Sequence, residues 1–253
     1  MRHAFSLVEL SIVLVILGLL TGGILAGKSL IRAAQLRKYQ TELTRYETAY
    51  NSFLERYNAR PGDMADAESL WGRMAMCPAN ANPVVATGVC NGDDNRALDT
   101  IREAGNTFAM LSRAGLIEGD YLYNDGPGVT ETLMRGTVFA PGPEDSTFTY
   151  RHSDIHGTMR NYLHVGAFQS GAGGYTKGMF TATEAWSIDN KMDDGIAGTG
   201  RWIGEREWCN LGGACPGSAG RCASLHISTV TSVDSVYNLD VTQQKCNMNV
   251  LVN

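Results

Sequence analysis

No proline precedes Pro61 and no cysteine precedes Cys77 in this chain of 253 residues. Proline breaks helix interiors, so its absence leaves residues 1–60 free to form one long helix. The six cysteines, Cys77, Cys90, Cys209, Cys215, Cys222 and Cys246, include no C-x-x-C pair. That excludes the usual zinc-knuckle and thioredoxin spacings. The glycine-rich stretch 166–178 lacks G-K-[ST], and no G-x-S-x-G occurs anywhere. P-loop and nucleophile-elbow chemistry are therefore unsupported, as is a Cys–His nucleophile pair. His152 and His156 have H-x₃-H spacing, but no Glu follows the first His and the stretch does not read as helix. The zinc motif H-E-x-x-H is not met.

Positive charge is also short, with 21 Lys/Arg against 26 Asp/Glu and a net charge of −5. The imbalance is uneven. Residues 1–60 carry eight Lys/Arg and four Asp/Glu, a net of +4, and the remainder carries −9. An acidic body argues against nucleic acid as a direct partner, because phosphate binding needs clustered Lys/Arg. It leaves room for cations.

What the sequence does have begins at its N-terminus. Phe5 to Ala26 is nearly all apolar, with Glu9 its only charged residue and Arg2 and Lys28 flanking it. As a helix this run spans about 33 Å, enough for a bilayer core of about 30 Å. No A-x-A site ends it, so it is expected to stay in the mature protein rather than be removed as a secretory signal. A carboxylate inside such a span costs about 2.5–3.5 kcal/mol at the centre and less near an end. A chain that keeps one has a use for it. If the chain is cut before Phe5, a new α-amino group lies one helical turn from Glu9. In a stack of parallel helices the two groups pair between neighbours and set axial register. The alternative is a Glu tolerated at headgroup depth in a plain signal anchor.

The run "AFSLVELSIVLVILGLL" resembles the N-terminus of type IV pilins and type II secretion pseudopilins. In that superfamily a prepilin peptidase cuts before a Phe and the new amine is methylated. A Glu stands at the fifth mature position. The resemblance implies cleavage between Ala4 and Phe5, N-methylation of Phe5 and an assembly role for Glu9. Ala4 stands where the family usually has Gly. The implied partners are further copies of the chain in a helical homopolymer, a prepilin peptidase, an assembly ATPase and a platform protein. The implied location is the inner membrane as a single-pass protein, then an extracytoplasmic filament. Gly18, Gly22, Gly23 and Gly27 crowd the second half of the span. They either loosen the helix or admit close helix neighbours.

Residues 28–58 lack both Pro and Gly, and Leu36, Tyr39, Leu43, Tyr46, Tyr50, Phe53 and Tyr57 recur at steps of 3 and 4. That is one face of a helix. The spacing predicts a single helix from Phe5 to about Tyr57. Its seam, rich in Tyr, suits packing on the chain's own sheet better than a coiled coil.

Roughly 190 residues follow, enough for one domain. Most of the 29 glycines lie here, which suggests a loop-rich, β-leaning body. "RPGDMADAESLWG" reads as a turn and a short helix capped by Asp63 or Asp66, and resembles a stretch found after the stem in some pilin-like proteins. Helices are expected at 97–115 and about 179–194, and strands at 136–140, 146–152, 160–168, 224–232 and 246–252. The expected fold is α+β, a pilin fold. A long N-terminal helix, membrane-spanning half plus stem, packs on an antiparallel β-sheet head with helical insertions and disulfides. The expected organisation is a leader at 1–4, an assembly helix at 5–27, a stem at 28–60 and a head at 61–253.

All six cysteines follow the apolar run, and an even count there fits disulfides made in an oxidising compartment. Cys77 and Cys90 are expected to pair across a short loop. The other four, Cys209, Cys215, Cys222 and Cys246, allow three pairings, and buried free thiols are the alternative. Two acidic loops are candidates for Ca²⁺: Asp93 and Asp94 in "NGDDNRALD", and Asp189, Asp193 and Asp194 in "IDNKMDDG". Neither has EF-hand spacing, and helix capping is the alternative. Trp186, Trp202 and Trp208 either anchor the core or present a binding surface.

No catalytic set emerges, so a structural rather than enzymatic role is expected. The leading reading is a filament subunit polymerising through its apolar helix. The alternative is a minor pilin or tip adhesin whose head binds a ligand or surface.

Overall fold

The computed structural model describes residues 7–78, 80–123, 138–155, 158–169, 174–206, 222–223, 236–240, 242–244 and 246–252. The processing positions Ala4 and Phe5, the cysteines Cys209 and Cys215, Trp208 and the strand expected at 224–232 lie outside the described residues.

Helix α1 runs unbroken from Leu7 to Tyr57, 51 residues. No proline interrupts it, and the four glycines at 18, 22, 23 and 27 do not break it. The chain divides into two compact units at Tyr39/Gln40, inside this helix. The described residues of the first unit are helix alone, and from Leu7 to Ile31 its large apolar side chains are exposed on every face.

Among its described residues the second unit, 40–253, contains the last turns of α1, a sheet and three further α-helices. It starts some twenty residues before the head expected from sequence, because the seam from Leu43 to Phe53 is part of its core. The strands are β1 (Ala140–Pro141), β2 (Ser146–Ile155), β3 (Thr158–Gln169), β4 (Gly174–Lys177), β5 (Trp202–Arg206) and β6 (Cys246–Val252). They are ordered β1-β2-β3-β6-β5, with β4 paired to the end of β3, and every pairing is antiparallel. One register row runs Ala140, Phe148, Val165, Met248, Gly204 across all five strands of the path. The next row on that face is Tyr150, Leu163, Val250, Trp202. Every residue in both rows is buried. Period-two alternation therefore turns one continuous apolar face toward the core.

Helix α1 lies on this face. The Tyr46 ring stands 5.2 Å from Phe148, and Tyr50 stacks on Tyr150 at 5.5 Å. The Tyr150 hydroxyl donates to the Tyr46 carbonyl at 2.8 Å, which satisfies a buried polar atom. Helix α3 (Ile101–Arg113) adds Phe108, 5.4 Å from Tyr46 and 5.0 Å from Tyr150. The opposite face is more polar: His164 and Asn249 sit opposite each other in the ladder and bond at 2.9 Å. That partnership, and the bond of His152 to Asn161 at 2.9 Å, account for both histidines as structural groups.

Among the described residues three α-helices punctuate the head. Helix α2 (Ala67–Trp71) follows the Pro61 turn, as the turn signal suggests. Helix α3 starts at Ile101 rather than 97 because Thr100 and Glu103 form a reciprocal capping box. Helix α4 (Ala182–Met192) is capped in the same way by Thr181 and Glu184. Its expected first residues are not helical, because Met179 and Phe180 donate backbone bonds to Cys246 instead. Strands β4 and β5 fall where the glycine content suggested loop, and Trp202 opens β5 as a core residue, 2% exposed.

Cys77 and Cys90 are joined by a disulfide with Cα atoms 5.3 Å apart. A second joins Cys222 to Cys246 at the start of β6, Cα atoms 4.9 Å apart.

Phe108 is the point where α1, α3 and β2 meet. Phe108→Ala is expected to destabilise the head by about 3–5 kcal/mol, through lost burial and a cavity that three rigid elements cannot close. Denaturant unfolding of the two proteins measures this.

Candidate assembly helix and acidic clusters

The first unit presents an apolar helical surface. Within Leu7–Tyr57 an 18-residue window reaches a mean hydropathy of 2.4 with none of it buried, so the helix is long and apolar enough to cross a membrane. Three of its hydroxyls are satisfied within the helix. Ser11 donates to the Val8 carbonyl at 2.8 Å, Thr21 to Leu17 at 2.9 Å and Ser29 to Ala26 at 2.8 Å. Such back-bonding removes the cost of placing a hydroxyl in hydrocarbon or between helices. Glu9 is an exposed carboxylate near the start of the described helix. A Cβ built on Gly18, Gly22, Gly23 or Gly27 meets nothing within 4 Å. The chain's own packing therefore does not require glycine at these positions.

Two groups of carboxylates lie in the second unit. In the first, Asp189, Asp193 and Asp194 bring one oxygen each within 4.8 Å of one another. Each is engaged by the loop that follows α4. Asp189 accepts from the Tyr237 hydroxyl at 2.9 Å and from the Gly195 amide at 3.3 Å. Asp193 accepts from the amides of Arg201 and Trp202, and Asp194 from the Ile196 amide and the Thr199 hydroxyl. Arg201 then reaches back to Glu47 on α1 as an ion pair. These carboxylates fold the turn between α4 and β5, which is the capping role weighed against Ca²⁺ for the same residues.

The second group is Asp63, Asp93 and Glu103, again with one oxygen each within 4.8 Å. Asp63 and Glu103 are buried, while Asp93 is exposed. Of the loop residues expected from sequence, only Asp93 joins this group. Asp94 is exposed, and its backbone amide donates to the Asp63 carbonyl at 3.1 Å. Asp63 and Glu103 were legible only as a turn residue and the fourth residue of T-x-x-E at a helix start. Nothing local shows that both are buried against Asp93.

A groove of about 630 Å³ runs beside α1 and is lined by Gln40, Thr44, Thr48, Ser52, Leu116 and others. No Asp, Glu, His or Cys is among its lining residues.

Burial raises the Asp189 carboxyl to about 7, and the nearby Asp193 and Asp194 charges push the same way against the Tyr237 and Gly195 bonds. Because its folded pKa is raised, folding takes up a proton at this site between about pH 4 and 7. Stability linked to Asp189 is therefore present at low pH and lost as pH rises through about 7. Asp189→Asn is expected to flatten the fall in melting temperature between pH 5 and pH 8. Thermal melts at the two pH values, wild type against variant, give the slope.

Comparisons with protein-family models, with curated proteins and with solved structures find no match for this chain, so its function has to be read from its own residues and their geometry.

Proposed function

We propose that this chain is a structural subunit of a type IV pilus-like or pseudopilus filament, held in the inner membrane until it polymerises through α1. The observation that carries the reading is the first unit: a helix with apolar side chains exposed on every face, leading into a head with its own core. A helix apolar all round has no stable place in water. It needs lipid or other helices, and a filament subunit has each in turn. In the membrane the side chains contact acyl chains. In the filament they contact copies of themselves, so the transfer exchanges one apolar surrounding for another.

Glu9 then supplies register. After cleavage between Ala4 and Phe5 by a prepilin peptidase, the methylated amine of Phe5 in one copy pairs with Glu9 of its neighbour. In low dielectric an unpaired carboxylate is expensive, so only the stagger that joins the two charges is favoured. The glycines, free of any need within the chain, let backbones of neighbouring copies approach. An assembly ATPase and a platform protein drive the extraction. The role is mechanical, not catalytic.

Glu9→Val is expected to leave the level of membrane-inserted protein unchanged while lowering filament yield at least about tenfold, a loss of 1.4 kcal/mol or more per added subunit. Immunoblots of membrane and sheared-filament fractions measure both. Mass spectrometry of purified filaments is expected to find Phe5, one methyl group heavier, as the first residue. Chains that still begin at Met1 would rule out the processing step.

A further inference from the structure

We infer that the stem cations Arg37 and Lys38 of one copy dock on the acidic loop Asp93–Asp99 in the head of a second copy. The inference rests on the filament reading above and names a contact made outside the apolar helices. Residues 28–41 carry Lys28, Arg32, Arg37 and Lys38 and no Asp or Glu. The next cation along, Arg45, is already paired with Glu42 at 2.9 Å. Arg37 and Lys38 are exposed, and among the described residues Lys38 forms no ion pair. Cations flanking a span ordinarily hold its cytoplasmic side. On the filament reading these four lie on the opposite side, with the disulfide-bonded head. Their charge works against the usual orientation bias, so it has another use.

The loop holds the opposite charge in a fixed place. Asp93, Asp94 and Asp99 are exposed, and among the described residues no Lys, Arg or His forms an ion pair with them. Arg96 and Arg102 lie in the same stretch without pairing to any of the three. The Asn95 side chain donates to Asp93 at 3.1 Å and to Asp99 at 3.4 Å, which fixes two of the carboxylates. Behind the loop, Asp63 and Glu103 are each 1% exposed, and with Asp93 they bring one oxygen each within 4.8 Å. Asp63 Oδ1 and Glu103 Oε1 are buried and accept no hydrogen bond. Buried carboxylate oxygens are ordinarily hydrogen-bonded or paired with a cation. Burial raises both carboxyls, and the Asp93 charge adds to each. A positive side chain arriving at Asp93 offsets that repulsion. The Cys77–Cys90 disulfide and Gly92, where a Cβ would lie 2.2 Å from the Asp63 carbonyl carbon, keep the loop closed. A loop already ordered loses little entropy on docking.

Charge and distance select a second copy as the partner. Residues 61–253 carry a net −9, so heads repel one another in a homopolymer unless positive charge lies between them. Each further copy brings such charge on its stem. Copies stacked in parallel and displaced along the axis set the head of one beside the stem of another. Anionic lipid headgroups are the other partner of suitable charge. In an upright helix Lys28 and Arg32 stand about 3 and 9 Å beyond Ala26, close to headgroup depth. Arg37 and Lys38 stand about 17–18 Å beyond it, past a headgroup layer of about 5–8 Å by more than a Debye length of about 8 Å. Lipid therefore answers the first two cations and leaves the second two for a protein partner.

Filament yield, the ratio of sheared-filament to membrane-inserted protein in immunoblots, is measured for four full-length chains. They are wild type, Arg37→Glu with Lys38→Glu, Asp93→Lys with Asp99→Lys, and the chain carrying all four changes. Either reversal alone sets like charges together and is expected to lower the yield at least about tenfold. The combined chain restores opposite charges between copies and is expected to return to within about threefold of wild type. A head that failed to fold would not be repaired by changing the stem, so rescue supports the contact directly. Neutral variants, Arg37→Gln with Lys38→Gln and Asp93→Asn with Asp99→Asn, perturb the fold less and give a second reading. Their losses are expected not to add when combined, because both remove one contact. Reversals without effect, or no rescue together with additive neutral losses, overturn the inference. A loss confined to the stem changes and kept in the combined chain assigns those cations to lipid headgroups and also overturns it. If wild type forms no filaments and Glu9→Val changes nothing, the filament reading falls and takes this inference with it. Filaments that form and ignore both reversals overturn the inference alone.

Discussion

Tyr46, Tyr50 and Phe53 enter the head on a helix whose backbone bonds are already complete, so their contribution to the fold is made by side chains alone. The Tyr46 and Tyr50 rings close against Phe148 and Tyr150 of the sheet and Phe108 of α3, and the Phe53 ring lies against Trp71 of α2. Burying each such ring stabilises by about 1.5–3 kcal/mol. The three elements would otherwise each expose an apolar face. β2 and β3 need a surface to cover their inner rows, and α3 needs a partner for a stripe that includes Phe108 and Leu111. The stem is therefore a core element of the head, and the compact unit begins at Gln40 rather than at the Pro61 turn.

The polar atoms follow from that packing. Where α3 and α4 meet the core, their orphan amides are capped locally by Thr100 with Glu103 and by Thr181 with Glu184. Where the chain turns from α4 into β5, carboxylates accept the free amides and Arg201 returns to Glu47 on α1. Where the chain leaves α1 and doubles back at Asp63, local donors run out. Two buried carboxylate oxygens, Asp63 Oδ1 and Glu103 Oε1, then remain without a hydrogen bond. The contrast between the two acidic groups lies in backbone donors, not in the number of acids.

The helices and central strands could be read from the sequence because their signals repeat along the chain. Steps of 3 and 4 from Leu36 to Tyr57 specify a helical face, and alternation at 146–152, 160–168 and 246–252 specifies strands. Both patterns are local. The capping boxes T-x-x-E at 100–103 and 181–184 were equally local and move the helix starts inward. Strand β5 was hidden because Trp202–Arg206 is short, contains Gly204 and lies among glycine-rich segments. Its strand character comes from pairing with β6, which no local pattern records.

Sequence alone determined that this chain has one long helix with an apolar half and an aromatic half, a carboxylate within the apolar half, and a cysteine-bearing α+β body. Each is a property of composition or of short-range period. Tertiary structure alone decided which face of the sheet receives the aromatic half, that Cys222 pairs with Cys246, and that Asp63, Asp93 and Glu103 share one small volume. Those outcomes depend on distant residues meeting in space: Cys222 and Cys246 are 24 positions apart, Asp63 and Glu103 are 40 apart, and Tyr50 and Tyr150 are 100 apart. The free energy that brings them together belongs to the packing of α1, α3 and the sheet, and no short segment of the sequence carries it.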